Sequence, residues 1–367
     1  MAKQKQKRAL KQTTKSNLIT YAMLAVAFVF VEIMTATGAA SNKFTGLLIP
    51  LCYYSILAVS LNLVVGILGD LSLGHAGFMC VGAYVGAFFS VTCADAIPQT
   101  WLRFLIAIIL GGVVAGIFGL LIGIPVLRLN GDYLAIVTLA FGEIIKNIVN
   151  LLFVGIDENG LHVSMESTNA LNLTENGKVI IKGALGITGT PRDSTFLISF
   201  ILLVITVFVA LNLINSRTGR AVMSIRDNRI AAESIGISVT HYKLIVFIVS
   251  AFFAGIAGVL YAHNLSSLTA TTKNFGYNMS IMILVFVVLG GIGSTRGSVI
   301  AAVILTALPE MLRSLNDYRM LIYAIVLILL MLANNNEKLN AFKEKISIVN
   351  FVKNKKSGNQ LDKEVNS

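Results

Sequence analysis

The sequence predicts an all-α fold, a polytopic membrane helical bundle of about ten spans with both termini in the cytoplasm. Three observations carry that prediction. The 367 residues are 56% hydrophobic and only 13% charged, with a mean hydropathy of +0.79. Soluble proteins carry about 25% charged residues, so this chain lacks the charge to solvate the outside of an ordinary cytosolic enzyme, and it is too apolar to be disordered. The apolar residues fall in long runs, near the ~20 residues that a spanning helix needs. Finally, the basic residues gather on alternate connections, as they do in loops that stay cytoplasmic. The net charge of +11 therefore reads as topology and attraction to anionic lipid, and no nucleic-acid role follows from it.

In chain order, a basic leader (residues 1–17) carries Lys3, Lys5, Lys7, Arg8, Lys11 and Lys15 ahead of the first span, 18–36. A secretory signal has a similar charge pattern, but its apolar run is only ~7–15 residues, so the segment reads as an uncleaved span. The second and third spans are 44–67 and 71–92. Gly74, Gly77, Gly82 and Gly86 make the third the least regular, and a broken or re-entrant third span stays open. The fourth and fifth are 102–126 and 134–154. A long outer loop, 155–194, is polar and carries Asp157, Glu158, Glu166 and Glu175. The sixth span, 195–214, leads into a cytoplasmic loop, 215–243. Spans 244–262, 279–293, 298–312 and 320–333 complete a transmembrane domain over 18–333, the last three being short. Gly290-Gly291-Ile292-Gly293 breaks the eighth. A Lys/Asn-rich tail, 334–367, reads as a solvated cytoplasmic extension. Ten spans put both termini on one side, which then holds twenty Lys/Arg against eight on the other.

Bond-making chemistry has no support. There is no GxxxxGK[ST], so no P-loop, and Gly291-Ile292-Gly293 lacks the spacing of a dinucleotide turn. His75, His162, His241 and His263 fall in separate segments, and Cys52, Cys80 and Cys93 form no CxxC pair. The expectation is no catalytic residue, no cofactor and no metal.

Three features remain. In the cytoplasmic loop, Asp227 or Asn228 suits an N-cap, because a short side-chain oxygen accepts an orphan backbone N–H. A two-turn helix follows over 229–235: Arg229, Ile230, Ala231, Ala232, Glu233, Ser234 and Ile235. Gly236 fits the C′ position, where φ is positive. So short a helix is marginal in water and must pack on its own bundle or on a cytoplasmic partner. In the third span, Gly74, His75, Gly77, Phe78 and Tyr84 have two readings. Glycines permit broken helices whose backbone dipoles meet a polar substrate, or they let helices pack closely, as Gly112/Gly116, Gly119/Gly123 and Ala254/Gly258 also would. His75 is likewise either a satisfied interfacial histidine or a substrate contact. The third feature is Glu143 and Lys146, at i, i+3 on one face of the fifth span. Charge at membrane depth is costly and usually points to the bundle interior: the pair reads as an internal ion pair, as Glu143 facing a partner subunit, or as a substrate or gating group.

Four sequence blocks carry a resemblance. Residues 216–237 (SRTGRAVMSIRDNRIAAESIGI) resemble the cytoplasmic coupling loop of ABC importer permeases, with Ala231-Ala232-Glu233 and Gly236 matching that family's loop motif. Leu71-Ser72-Leu73-Gly74-His75-Ala76-Gly77-Phe78 with Gly82-Ala83-Tyr84 resembles the LivM-type permease of branched-chain amino-acid importers. The stretches 131–143 (GDYLAIVTLAFGE) and 290–297 (GGIGSTRG) are similar to the same family. The blocks lie in order between about residues 50 and 310. The resemblance implies a permease subunit in a bacterial cell membrane without its own ATPase site. Its implied partners are a second LivH-type permease, two cytoplasmic ABC ATPase subunits and an extracellular or periplasmic solute-binding protein, with leucine, isoleucine or valine as cargo. Residues 228–236 would couple to the ATPases, and Gly74, His75, Gly77, Phe78, Tyr84 and Glu143 would border the substrate pathway. The outer loop departs from the family pattern by being longer and more acidic. Three alternatives are the same machinery carrying urea or short amides, an ion-coupled carrier built on Glu143, and a structural anchor, which would have no use for the capped inner helix.

Overall fold

A computed structural model describes residues 2–37, 42–94, 96–129, 131–174 and 177–312, together with 321, 324, 325 and 328. Most of the tenth expected span, the tail after 333, and Glu175 lie outside the described residues. Residues 1–307 form one unit. In the second unit, 308–367, the described residues 308–311, 321, 324, 325 and 328 are helical.

The leader and first span run as one helix, α1 (Ala2–Ala36). α2 (Asn42–Asn62) continues into a π-helical turn, Leu63–Leu68, which ends at Gly69 with φ +83°. Residues 69–74 are unwound. The glycine-rich third span is then a regular helix, α3 (His75–Thr92), whose 18 residues extend about 27 Å. α4 (Thr100–Val126), α5 (Asp132–Leu151) and α6 (Phe196–Asn215) follow. The loop expected to be cytoplasmic, 215–243, holds two helices, α7 (Arg217–Asp227) and α8 (Arg229–Ser234), before α9 (Val239–Ala262). The eighth expected span, 279–293, is α11 (Tyr277–Gly290), which stops at the expected glycine break and is preceded across Gly276 by a short helix, α10 (Thr272–Phe275); α12 (Thr295–Met311) is the ninth. Among the described residues, eight helical stretches are long and apolar enough to cross a membrane.

The bundle is built on α2, α3 and α9, which are buried along most of their length, whereas α1, α4, α5 and α6 turn apolar faces outward. Outward apolar faces of this kind suit contact with lipid. Where α3, α4 and α9 meet, small residues let backbones touch. A Cβ on Gly82 would lie 2.2 Å from the Gly255 carbonyl oxygen, and one on Gly258 would lie 2.1 Å from that of Met79. Lipid is as apolar as leucine, so such contacts gain their energy from close packing.

The 155–194 segment, expected to be a long, polar outer loop, folds into an antiparallel sheet. Its strands are β1 (Phe153–Asp157), β2 (Gly160–Ser164), β3 (Lys178–Lys182) and β4 (Ile187–Thr188), and β5 (Ser267–Leu268) joins from the α9–α10 connection, in the order β2-β1-β3-β4-β5. α5 therefore stops at Leu151, three residues short of the expected end, because Leu152 turns extended and feeds β1. The β-branched run Val179-Ile180-Ile181 in β3 is the local reason for a strand there.

Candidate functional site

The loop between α6 and α9, expected to be cytoplasmic, is locally well defined. Ser216 caps α7, its Oγ accepting the Gly219 N–H (3.1 Å). Asn228 is extended, with φ −156° and ψ 104°, and its Oδ1 accepts the Ala231 N–H (3.0 Å). Of the two expected caps, Asn228 is the one used. α8 ends in a Schellman arrangement: Gly236 has φ +85°, its N–H reaches the Glu233 carbonyl (3.0 Å), and the Ile237 N–H reaches that of Ala232 (3.1 Å). Arg229 and Glu233 pair at i, i+4 (3.1 Å) on the helix surface. Beneath them Ala232, only 2% exposed, packs with Ile225 and Val239 in a small core of the loop's own. Two apolar side chains of this short element are open, Ile230 at 80% and the C-cap residue Ile235 at 75% exposure. α7, which carries the neighbouring half of this unit, is not among the sequence expectations. Its signals are the Ser216 cap and the three-residue spacing of Val222 and Ile225, both buried.

The pathway candidates divide. Gly74 and Gly77 sit against α5: a Cβ on Gly74 would be 2.1 Å from the Thr138 carbonyl oxygen, and one on Gly77 would be 2.8 Å from Gly142 Cα. His75 is buried with Nε2 2.7 Å from Ser60 Oγ. Phe78 is enclosed between Phe141 and Phe247, at ring-centroid distances of 5.1 and 5.5 Å. These four are packing residues in this conformation. Tyr84 donates its hydroxyl to the Leu268 carbonyl (3.3 Å) and borders an apolar cavity of about 400 Å³ between α3, α4, α5 and the outer sheet.

Glu143 and Lys146 do share a face and pair directly. Lys146 Nζ also donates to Thr272 Oγ1 (3.1 Å), and the Tyr277 N–H donates to Glu143 Oε1 (2.8 Å). One turn further along α5, Asn150 Nδ2 donates to the Ala270 carbonyl (2.8 Å). The polar face of α5 thus holds the break between α10 and α11, with a carboxylate at the N-terminus of α11, where the helix dipole favours it.

A further ion pair escapes sequence reasoning because its partners are far apart in the chain. Lys243 Nζ, at the start of α9, lies 2.9 and 2.6 Å from the two carboxylate oxygens of Asp70 in the unwound segment. In the sheet, Asp157 accepts the Asn159 N–H (2.9 Å), the Thr174 N–H (3.3 Å) and a contact from His162 Nε2 (3.0 Å). Desolvation works to raise its pKa. The two N–H groups and the imidazole outweigh that and hold the carboxyl below its ordinary range.

A family profile described as "Branched-chain amino acid transport system / permease component" matches residues 44–331. The high-affinity branched-chain amino acid transport system permease protein LivM of Salmonella typhimurium is 34% identical over 330 residues, covering 87% of this chain and 74% of the relative. LivM of Escherichia coli is 33% identical with the same coverage. The fructose import permease protein FruG of Bifidobacterium longum is 26% identical over 276 residues, 73% of this chain and 74% of the relative. No solved structure matches.

Proposed function

Because the chain belongs to the branched-chain amino acid transport system permease family, we propose that it is the LivM-type membrane subunit of an ATP-driven importer of leucine, isoleucine and valine, in a bacterial inner membrane. Family membership supports the cargo. The observation that carries the coupling role is the exposed pair Ile230 and Ile235 on a helix that is capped at both ends and anchored by Ala232. In this reading residues 228–236 seat in a groove on a cytoplasmic ATPase, and the two isoleucines are covered there.

The partners in this reading are a second, LivH-type permease, two ABC ATPase subunits and a solute-binding protein on the outer face, where the sheet stands. Both termini are cytoplasmic, ten spans lie within 18–333, and the tail 334–367 is a cytoplasmic extension. The passage runs along α3 and α5, past Gly74, His75, Gly77, Phe78, Tyr84 and Glu143, and opens when the ATPases change state. The chain supplies a path and a lever and hydrolyses nothing. The ATPases can shift the bundle only by contacting its two access states differently, so the lever must be stiff, and the two caps of α8 make it so.

The test is uptake of labelled leucine, isoleucine and valine by cells that carry or lack this chain. Uptake should depend on the chain, survive an ionophore and vanish on ATP depletion, and labelled urea and fructose should not be carried. Loss with the ionophore alone would identify an ion-coupled carrier. In a second arm, bulky residues at Glu233 and Gly236 should abolish both uptake and co-purification of the ATPases.

A further inference from the structure

The end of α2 is wound as a π turn, Leu63–Leu68, with all six residues buried. A π turn accommodates one extra residue in a helix, and side groups must serve the displaced carbonyls. Two outside donors reach carbonyls in and just before this turn. Ser250 Oγ of α9 donates to the Ser60 carbonyl (2.6 Å), and Arg226 Nη1 of α7 donates to the Gly66 carbonyl (3.0 Å). Asp227 Oδ1 accepts from Arg226 Nε and Nη2 (3.3 and 3.1 Å) and so fixes the guanidinium. Asn228, the cap of α8, is the next residue in the chain, so Arg226 stands at the corner where α7 meets the exposed lever.

The π turn is also where other segments join. Asn62 Oδ1 accepts the Gly293 N–H (2.9 Å) ahead of α12. Only a glycine at 66 leaves room for this, because a Cβ there would lie 2.2 Å from Asn62 Oδ1 and 2.4 Å from Gly293 N. Gly69 and Asp70 close the turn on the Val64 carbonyl (3.0 and 3.3 Å), and Asp70 is held by Lys243. A Cβ on Gly69 would lie 2.6 Å from Arg226 Cγ. The unwound residues 69–74 then lead directly into α3.

We infer that Arg226 is the positioning residue through which a displacement of α8 enters the membrane. Its guanidinium holds the Gly66 carbonyl, and the π turn, the 69–74 segment and the α3 terminus move with it. When α8 tilts on its ATPase, the Arg226–Gly66 bond is drawn or released, and the turn exchanges π for α winding. This rests on the reading of α8 as the ATPase seat.

The test uses the complete importer in proteoliposomes, with transport and ATP hydrolysis measured together for Arg226→Gln and Arg226→Lys. Both variants should co-purify with the ATPases as the parent does. Arg226→Gln should hydrolyse ATP while moving at least tenfold less solute per ATP, and Arg226→Lys, which keeps the charge, should recover part of the ratio. An unchanged ratio in Arg226→Gln overturns the inference. So does loss of the ATPases from that variant, which would make Arg226 a mere support of the loop. Bulky replacements at Glu233 and Gly236 separate the two failures. If they leave the ATPases bound, the reading of α8 fails and the inference falls with it. If they release the ATPases while Arg226→Gln couples normally, only the inference fails.

Discussion

Asn228 and Gly236 are legible in the sequence because capping is local chemistry: one side-chain oxygen and one missing Cβ settle the two ends of α8. Replacing Asn228 by Ala removes the bond to the Ala231 N–H and should cost about 1 kcal/mol of helix stability. Asn228→Asp should keep it, and hydrogen exchange at Ala231 reports the difference. Nothing crowds a Cβ at Gly236, so Gly236→Ala should cost only the backbone strain of positive φ, about 1–2 kcal/mol, seen as faster exchange at Ile237. Asp157 gives a pH dependence. Its folded pKa lies below the ordinary value, so its contribution is complete above about pH 4 and is lost as pH falls through the depressed value. Acid should therefore loosen the β1–β2 hairpin in the parent, read as exchange of the Thr174 amide, and Asp157→Asn should remove that acid-dependent step. The bonds of Arg226 to Gly66 and of Lys243 to Asp70 were beyond the sequence for the opposite reason: their partners lie 160 and 173 residues away, and no local pattern announces them.

Among the elements, spans were readable because hydropathy is a property of one segment, whereas their ends and breaks depend on neighbours. α10 and α11 part at Gly276 because Glu143 and Lys146, on another helix, hold the separated ends. The outer sheet escaped because β1 continues an apolar run that began in α5. The small-residue pairs were correctly marked as packing signals but could not be ranked without the fold. At Gly258 a Cβ would strike the Met79 carbonyl at 2.1 Å, whereas at Gly116 its nearest neighbour would be Phe252 Cβ at 3.7 Å. Gly258→Ala should thus destabilise by about 1–3 kcal/mol and lower the melting temperature in detergent. Gly116→Ala should be neutral or raise it, since alanine is the better helix former by about 1 kcal/mol.

At the scale of the molecule, composition alone excluded a soluble enzyme, and the order of four short blocks pointed to the family that the profile match over residues 44–331 establishes. The candidate pathway was less legible. Gly74, His75, Gly77 and Phe78 pack against neighbouring helices in this structure, and no local pattern tells a packing glycine from one that borders a passage. What the whole account needs is that α8 faces the cytoplasm and is covered there by an ATPase. The direct measurement is labelling of Ile230→Cys with a membrane-impermeant thiol reagent, in a background from which Cys52, Cys80 and Cys93 have been removed. The cysteine should react in inside-out vesicles stripped of the ATPases, be protected when they are restored, and stay unlabelled in intact cells. Labelling from outside intact cells would place the lever on the wrong side of the membrane and contradict the account.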